Sequence, residues 1–382
     1  MFALIPIGGA IAGHFIITRQ WNLLFAWRWL IAALLILVFI LPEIYCLYQQ
    51  FDLHPEKLIF DRHNVSGIKF FFWDSQFGRF FNTGPIKGSG DPTFFIHTTL
   101  WAFLPWSLLL FAAIYQFIKK GIKNLPGTEW YCLSGALLTF LLFSASKFQL
   151  PHYLNIVFPF FAIITAQFVH HLQSEKSKQA VRITQIVVIV LLLLIIIVLH
   201  YFFQPGDFNV IKGVILALLF IALLFLPKFI THDVVPKIML RTVLASFIVN
   251  FYLNTVFFSS LMHYQAGSEI GIWLNQNNPQ KLPIVQTGDD NVWALEFYSD
   301  QSIIYMNTNG TGPLPKGPFL LYTPVPVVKD LVAKGWHIQT VKTFQRYWVS
   351  RLKPAFLNRA TREKELTTVE VVLVTSYLNP PR

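Results

Sequence analysis

The sequence predicts a mostly α-helical membrane protein: a polytopic transmembrane helical bundle of about eight helices, followed by a small C-terminal α/β extracytoplasmic domain. The chain has 382 residues, of which 54% are hydrophobic and only 13% are charged. Its mean hydropathy of +0.52 is higher than is typical of a water-soluble protein of this size. Long apolar stretches recur along the first two thirds of the chain, and Lys and Arg concentrate in alternate connections between them. These observations argue against a soluble globular protein.

The predicted spans are apolar stretches of about 20 residues, the length that crosses a ~30 Å hydrocarbon core. Pro105 interrupts one of them, and Pro151 and Pro159 interrupt another. Such breaks are tolerated where neighbouring helices or a wet cavity satisfy the freed carbonyl groups, so these spans are expected to line the bundle interior. The eight stretches lie near residues 2–17, 25–46, 94–118, 128–146, 150–171, 181–203, 209–230 and 239–262.

The basic residues of the short connections predict the orientation, because cytoplasmic loops carry the excess of Lys and Arg. The alternation places the loop 47–93 and residues 263–382 outside. The predicted organisation is therefore a transmembrane helical bundle over 1–262 with outer loop 47–93, and a C-terminal extracytoplasmic α/β domain over 263–382. The residues that mark the cytoplasmic connections are Arg19, Arg28, Lys119, Lys120, Lys123, Lys176, Lys178, Arg182, Lys228, Lys237 and Arg241.

The C-terminal region alternates strand-like apolar runs with helical stretches, which is typical of a small α/β domain. Helices are predicted near 268–276, 291–299 and 325–335. The predicted strands are Ile284–Gln286, Ile303–Met306, Phe319–Tyr322, Ile338–Val341 and Val369–Val374.

Several classes of function are disfavoured by the composition. The net charge of +11 does not indicate nucleic acid binding, because the basic residues of the bundle lie in short gaps between spans. Cys46 and Cys132 lie in or beside apolar runs and predict neither a disulfide framework nor a metal cage. No nucleotide-binding or nucleophile-elbow motif is present, and the polar residues within spans have no metal-ligand spacing.

The segment Gly78-Arg79-Phe80 is a candidate phosphate-binding element in the outer loop. A guanidinium group offers a planar fork that binds a phosphate through two hydrogen bonds. The alternative interpretation is an arginine that extends along the bilayer to the lipid headgroups. Spacing alone leaves both interpretations open.

A second candidate element is the predicted hairpin from Ser144 to Tyr153, between two spans on the outer side. With Pro151 opening the following helix, Lys147, His152 and Tyr153 would cluster near a helix N-terminus, which favours anions. The alternative is a short loop whose Lys and Tyr anchor the protein at the membrane interface.

Three motifs in this order resemble the bacterial aminoarabinose-transferase and protein-mannosyltransferase family, which are membrane glycosyltransferases of the GT-C type. The motifs are Gly78-Arg79-Phe80, the run Phe94-Phe95-Ile96-His97-Thr98-Thr99-Leu100-Trp101-Ala102-Phe103-Leu104-Pro105-Trp106-Ser107-Leu108, and Ser146-Lys147-Phe148-Gln149-Leu150-Pro151-His152-Tyr153. The match covers roughly residues 1–262, and the C-terminal domain fits the layout of the family more than its sequence.

The resemblance implies a polyprenyl-phosphate sugar donor and transfer of the sugar to an envelope lipid, glycan or protein acceptor outside the membrane. By motif matching, Arg79, Lys147 and Tyr153 would lie near the donor phosphate. The implied location is the bacterial inner membrane, with a multi-pass chain in contact with membrane lipids and a periplasmic C-terminal domain. A divalent metal cofactor is left open.

One departure from the family concerns the catalytic acidic residue, which family members carry in a first extracytoplasmic loop after their first transmembrane helix. No segment here corresponds to that helix and loop, so no catalytic residue is assigned. The expectation is an N-terminally truncated chain, the later portion of such an enzyme, which does not catalyse alone. The alternative is a non-catalytic membrane subunit or truncated gene product of the same fold. A lipid-linked sugar flippase is less favoured, because internal repeats and paired mid-bilayer charges are absent from the sequence.

Overall fold

The computed structural model describes residues 4–60, 62–120, 129–288 and 293–377. Most of these residues are helical. The α-helices are α1 (Leu4–Ile17), α2 (Trp21–Leu24), α3 (Arg28–Leu47), α4 (Gly67–Lys69), α5 (Phe77–Phe81), α6 (Phe94–Ala102), α7 (Ser107–Lys120), α8 (Trp130–Ala145), α9 (Phe158–His170), α10 (Glu175–Phe203), α11 (Val210–Ile230), α12 (Val234–Tyr252), α13 (Phe258–Met262), α14 (Ala266–Asn277), α15 (Trp293–Tyr298), α16 (Val325–Ala333), α17 (Pro354–Leu357) and α18 (Arg359–Arg362). The strands are β1 (Ile284–Thr287), β2 (Ile303–Met306), β3 (Phe319–Pro324), β4 (His337–Arg346) and β5 (Thr367–Ser376).

Apolar helices occupy all eight predicted spans, which confirms a multi-pass helical membrane protein. Helical stretches long and apolar enough to cross a membrane are Trp21–Asp52, Glu175–Phe203, Val210–Ile230 and Val234–Met262. Shorter apolar helices are Leu4–Ile17, Ser107–Lys119, Trp130–Ala145 and Phe158–His170. None of the most apolar part of Trp21–Asp52 is buried within the protein. This exposure is compatible with a membrane span, because a helix that faces lipid needs no polar face.

Prolines divide two of the predicted spans. The stretch 94–118 forms α6 and α7, separated by a turn that contains the cis peptide bond Leu104–Pro105. Pro151 opens a helical turn after the hairpin, as predicted, but this turn is the 3₁₀ helix Pro151–Ile156, and α9 begins only at Phe158. Pro159 lies in the first turn of α9, where the missing N–H of proline leaves no hydrogen bond unmade.

The first compact unit comprises Met1–Ile186 with Asp233–Val235. Its core is a cluster of buried side chains from α6 to α9 that includes Phe95, Leu110, Phe143 and Phe161. Small residues let α1 lie directly against α8, because a Cβ atom added at Gly13 would be 2.2 Å from the Cβ atom of Ser134. Close packing through small residues is the usual way for helices to associate in membranes.

The second compact unit comprises Val187–His232 with Pro236–Arg382. It contains most of α10, together with α11, α12 and the C-terminal sheet. Phe203, Tyr252, Phe257 and Phe356 form one of its buried clusters. The predicted domain boundary between 262 and 263 concerns membrane topology and stays a prediction.

The C-terminal region contains the predicted small α/β fold. Its five strands lie in the order β2-β1-β3-β5-β4, with β1 parallel to β2 and β3 and with β5 antiparallel to β3 and β4. Helices cover both faces of the sheet. Leu320 of β3 packs with α14 and α15, and the adjacent Leu321 packs with α16. This two-sided burial explains why β3 reads as a continuous apolar run.

Candidate functional site

Arg79 lies on the short helix α5, at a sharp reversal of the chain within residues 47–93, which keep the name outer loop from the predicted topology. Asn82 ends this helix in a left-handed conformation with φ 61°. The chain then passes close to itself, since a Cβ atom added at Gly78 would be 2.9 Å from the Cα atom of Gly84. The amide side chain of Asn82 fixes the reversal by accepting from the backbone N–H of Gly88 at 3.0 Å and donating to its carbonyl oxygen at 2.6 Å.

The outer loop and the hairpin of the third motif lie against each other. The backbone N–H of Lys147 donates to the carbonyl oxygen of Phe80 at 3.0 Å. The guanidinium carbon of Arg79 lies 5.4 Å from the ring centroid of Phe148. Gly90 adopts φ +57°, and a Cβ atom there would be 2.9 Å from the Cα atom of Lys147. The fold therefore brings together the Arg79 and Lys147 segments, which sequence spacing alone did not connect.

Gln149 holds the hairpin in place. Its Oε1 atom accepts from the backbone N–H of Asp91 at 2.8 Å. Its Nε2 atom donates to the carbonyl oxygens of Phe143 at 3.3 Å and Ser144 at 3.2 Å. One amide side chain thus links the outer loop to the end of α8. The sequence motif did not predict this role for Gln149.

Tyr153 lies in the 3₁₀ helix that follows the hairpin. Its half-buried ring packs against Phe143 at a centroid distance of 5.8 Å and against His152 at 5.0 Å. Lys147 is exposed at the tip of the hairpin. The hairpin therefore supplies an exposed cation and a half-buried aromatic ring beside the segment that carries Arg79.

The guanidinium group of Arg79 has an unmet hydrogen-bonding requirement. Its Nε atom is buried and has no hydrogen-bond partner. Within the described ranges no carboxylate lies within ion-pair distance of Arg79 or of Lys147. A buried donor without a partner is costly, and an anionic oxygen is the partner that a guanidinium group binds best. The residues present therefore fit a phosphate group.

Two further polar atoms of this region were not identified from the sequence. The Oε1 atom of Gln76 and the Oγ atom of Ser144 are buried without hydrogen-bond partners. Both residues lie beside the predicted motifs. An isolated Gln or Ser has no sequence pattern that would predict a buried polar atom without a partner. Among the described residues, no three His, Cys, Asp or Glu side chains are arranged to hold a metal ion.

The fold matches the crystal structure of ArnT from Cupriavidus metallidurans bound to undecaprenyl phosphate, with a TM-score of 0.63 and 13% identity over 99% of this chain and 66% of that chain. The structure of the same protein in the apo state gives a TM-score of 0.57 and 16% identity over 98% of this chain and 65% of that one.

Two curated proteins are similar to part of this sequence. The undecaprenyl phosphate-alpha-4-amino-4-deoxy-L-arabinose arabinosyl transferase of Edwardsiella ictaluri (strain 93-146) is 29% identical over 133 residues, which is 35% of this chain and 23% of that enzyme. An uncharacterized protein of Aquifex aeolicus (strain VF5) is 27% identical over 205 residues, or 53% of this chain and 37% of that protein. No family model matches.

These findings confirm the resemblance to the aminoarabinose-transferase family that the three motifs indicate. The matched regions span less than two thirds of each of these relatives.

Proposed function

We propose that this chain binds a polyprenyl-phosphate sugar donor and serves in transfer of the sugar to an acceptor outside the membrane. The observation that carries the proposal is the buried, unpartnered Nε atom of Arg79. A hydrogen bond from the backbone N–H of Lys147 to the carbonyl oxygen of Phe80 keeps Lys147, the second cation, in the same region. A protein of this fold from Cupriavidus metallidurans was solved bound to undecaprenyl phosphate, which supports a lipid of that class as the ligand.

The proposed chemistry requires stabilisation of a leaving phosphate. Attack of an acceptor hydroxyl on the anomeric carbon breaks the bond between that carbon and the phosphate oxygen, and the bonding electrons remain on the phosphate. Arg79 and Lys147 would stabilise this growing negative charge, and Tyr153 would donate a neutral hydrogen bond. Removal of one such preorganised donor typically lowers the rate by on the order of 10²–10³.

We also propose that the loop 47–93 and residues 263–382 lie on the periplasmic side of the inner membrane. The supporting observation is the alternation of Lys and Arg between successive connections. The acceptor, whether an envelope lipid, glycan or protein, would then meet the donor phosphate on that side. No residue is assigned as the base that takes the proton of the acceptor.

The proposal is tested by measuring lipid binding to the purified chain in neutral detergent. Undecaprenyl phosphate should bind, and undecaprenol, which has the same polyprenyl chain without the phosphate, should bind at least tenfold more weakly. Arg79→Ala should remove this preference, whereas Arg62→Ala, at an exposed arginine of the same loop, should keep it. Equal binding of the two lipids by the unmodified chain would refute the proposal.

Sugar transfer from a polyprenyl-phosphate donor is a second readout on the same samples. Turnover that depends on Arg79 would support an enzyme. Phosphate-selective binding without turnover would favour the alternative of a non-catalytic membrane subunit with the same fold.

A further inference from the structure

Two adjoining cavities border the C-terminal end of α10 in the second compact unit. Their volumes are about 470 and 540 Å³, and both are lined by Tyr201, Gln204 and Arg359. His200 and Phe208 complete the wall of the larger one. Each of these residues is exposed, so the two cavities form one open pocket. Nothing in the proposed donor site uses these residues.

Arg359 is a cation with donors to spare. Its Nη1 atom donates to the Oε1 atom of Gln204 at 2.5 Å. The Gln204 amide is a neutral partner and does not balance the charge of Arg359. No carboxylate of the described ranges lies within ion-pair distance of Arg359. A guanidinium group offers more N–H donors than one amide oxygen accepts. The pocket therefore presents an uncompensated positive charge.

The neighbouring Arg362 shows the contrast. The residue is 8% exposed, and its guanidinium group donates to the carbonyl oxygens of Phe356 at 3.1 Å and Phe203 at 2.5 Å and to the hydroxyl group of Tyr264 at 3.0 Å. Arg362 thus has a structural role at the end of α10. Arg359, on the same short helix, faces the pocket instead.

The surroundings of the pocket are those of a membrane boundary. It lies at the end of α10 and the start of α11, two helices long and apolar enough to span a bilayer. Large apolar side chains next to it are exposed, with Tyr201 at 70%, Val210 at 81% and Ile211 at 70%. Apolar side chains this exposed at the end of a span are covered by lipid, which places Arg359 at the depth of the headgroups.

The chain segment before α18 carries another cation beside an aromatic ring. Arg351 lies over the exposed indole ring of Trp348, with its guanidinium carbon 4.3 Å from the ring centroid. The backbone N–H of Tyr347 donates to the carbonyl oxygen of Tyr264 at 2.9 Å, and Tyr264 lies two residues after Met262, where the span ends. Tryptophan and arginine side by side at the end of a span are typical of contact with anionic headgroups.

We propose that the pocket lined by Tyr201, Gln204 and Arg359 binds the phosphate group of an anionic membrane lipid. Arg359 would bind the phosphate oxygens through its free donors, and the lipid chains would lie against Tyr201 and Phe208. The shared chemistry is a lipid-borne phosphate, carried either by a phosphoglycerolipid or by a phosphorylated glycolipid.

The test is native mass spectrometry of the whole chain, titrated with one lipid at a time. The probes are dioleoylphosphatidylglycerol, the phosphorylated glycolipid lipid A, and neutral dioleoylphosphatidylcholine as the reference. Whichever of the two anionic lipids occupies the pocket should remain bound to Arg359→Gln roughly tenfold less than to the unmodified chain, since a charge-assisted contact is lost. Arg359→Lys should retain part of the binding, because the charge remains without the planar fork.

Lys329→Gln is the control, because Lys329 is an exposed cation of α16 that does not line the pocket. It should leave retention within about twofold of the unmodified chain. Selective loss in only one of the two lipid arms identifies the source of the phosphate. Equal retention by Arg359→Gln and the unmodified chain in both arms would overturn the proposal, as would an equal loss in Lys329→Gln. Arg79→Ala should not affect this binding, which separates the pocket from the proposed donor site.

Discussion

Arg362 donates a hydrogen bond from Nη2 to the carbonyl oxygen of Phe203, at 2.5 Å. Phe203 is the last residue of α10, and its carbonyl oxygen is one of those that a helix end leaves without an intrahelical partner. The same guanidinium group lies over the Phe203 ring, with a distance of 4.3 Å from its central carbon to the ring centroid. A cation at a helix C-terminus also interacts favourably with the helix dipole.

Arg362→Ala is therefore expected to destabilise the protein. The buried carbonyl oxygens of Phe203 and Phe356 would lose their donor, and each unsatisfied group costs about 1–3 kcal/mol. Thermal unfolding in detergent should show a midpoint several degrees lower, whereas Arg351→Ala, at an exposed arginine, should change it little. Similar midpoints for the two variants would contradict the structural role of Arg362.

The contact between α1 and α8 predicts a sharp steric effect at Gly13. A Cβ atom there would be 2.2 Å from the Cβ atom of Ser134, so Gly13→Ala should cost about 1–3 kcal/mol in unfolding free energy. The double variant Gly13→Ala with Ser134→Gly should recover most of the loss. Gly8→Ala is the control on the same helix, because nothing lies within 4 Å of a Cβ atom at Gly8. Loss of the same size in Gly8→Ala would point to a general effect of the helix and not to this contact.

Asp207 predicts a dependence of stability on pH. The side chain of Ser259 donates to its carboxyl group, and with Ser260, His263 and Lys212 nearby the pKa of Asp207 is held below its ordinary value despite partial burial. A lowered folded-state pKa means that the stabilisation is complete above the unfolded pKa of about 3.9 and is lost as the pH falls through the folded value. Unfolding midpoints measured from pH 6 to pH 3 should fall less steeply in Asp207→Asn. Ser259→Ala should have the same effect in a weaker form. An unchanged dependence of the unfolding midpoint on pH in both variants would argue against a contribution of Asp207 to stability.

The proposed orientation predicts which exposed residues an external reagent reaches. In a chain without Cys46 and Cys132, a single cysteine at Ser302 should react with a membrane-impermeant maleimide in spheroplasts. A single cysteine at Ser174, beside the start of α10, should react only after the membrane is opened; both positions are exposed on the protein surface. Labelling of Ser174 but not of Ser302 would reverse the topology.

Much of the fold could be predicted from the sequence because its determinants are local. Apolar length gave the spans, and alternation bounded by turn residues gave all five strands of the sheet, with Ile303–Met306 matching β2 at both ends. The break at Pro105 was also visible, since proline cannot continue a helix ladder. The start of the helix after the hairpin was placed too early, because proline is equally compatible with the first turn of a 3₁₀ helix.

The candidate site was only partly predictable, because its geometry depends on contacts between distant segments. The family resemblance placed Arg79 and Lys147 near one phosphate, but the hydrogen bond from the backbone N–H of Lys147 to Phe80 and the contacts of Gln149 follow from tertiary packing. Arg362 went unnoticed because it lies in a charged segment with no periodic pattern. Only the fold shows that it is buried among aromatic rings while Arg359 is not.

The measurement that tests the central claim most directly is the affinity for undecaprenyl phosphate of the purified chain and its Arg79→Lys variant, with folded protein quantified in each sample. A phosphate clamp requires the planar fork, so Arg79→Lys should bind roughly tenfold more weakly and Arg79→Ala more weakly still. Lys147→Ala should act in the same direction, whereas Lys87→Ala, at an exposed lysine of the outer loop, should not. Tyr153→Phe should cost only the ~0.5–1.5 kcal/mol of a neutral hydrogen bond. Unchanged affinity in Arg79→Lys, with reduced yield of folded protein in Arg79→Ala, would instead identify Arg79 as an interfacial anchor and contradict the phosphate site.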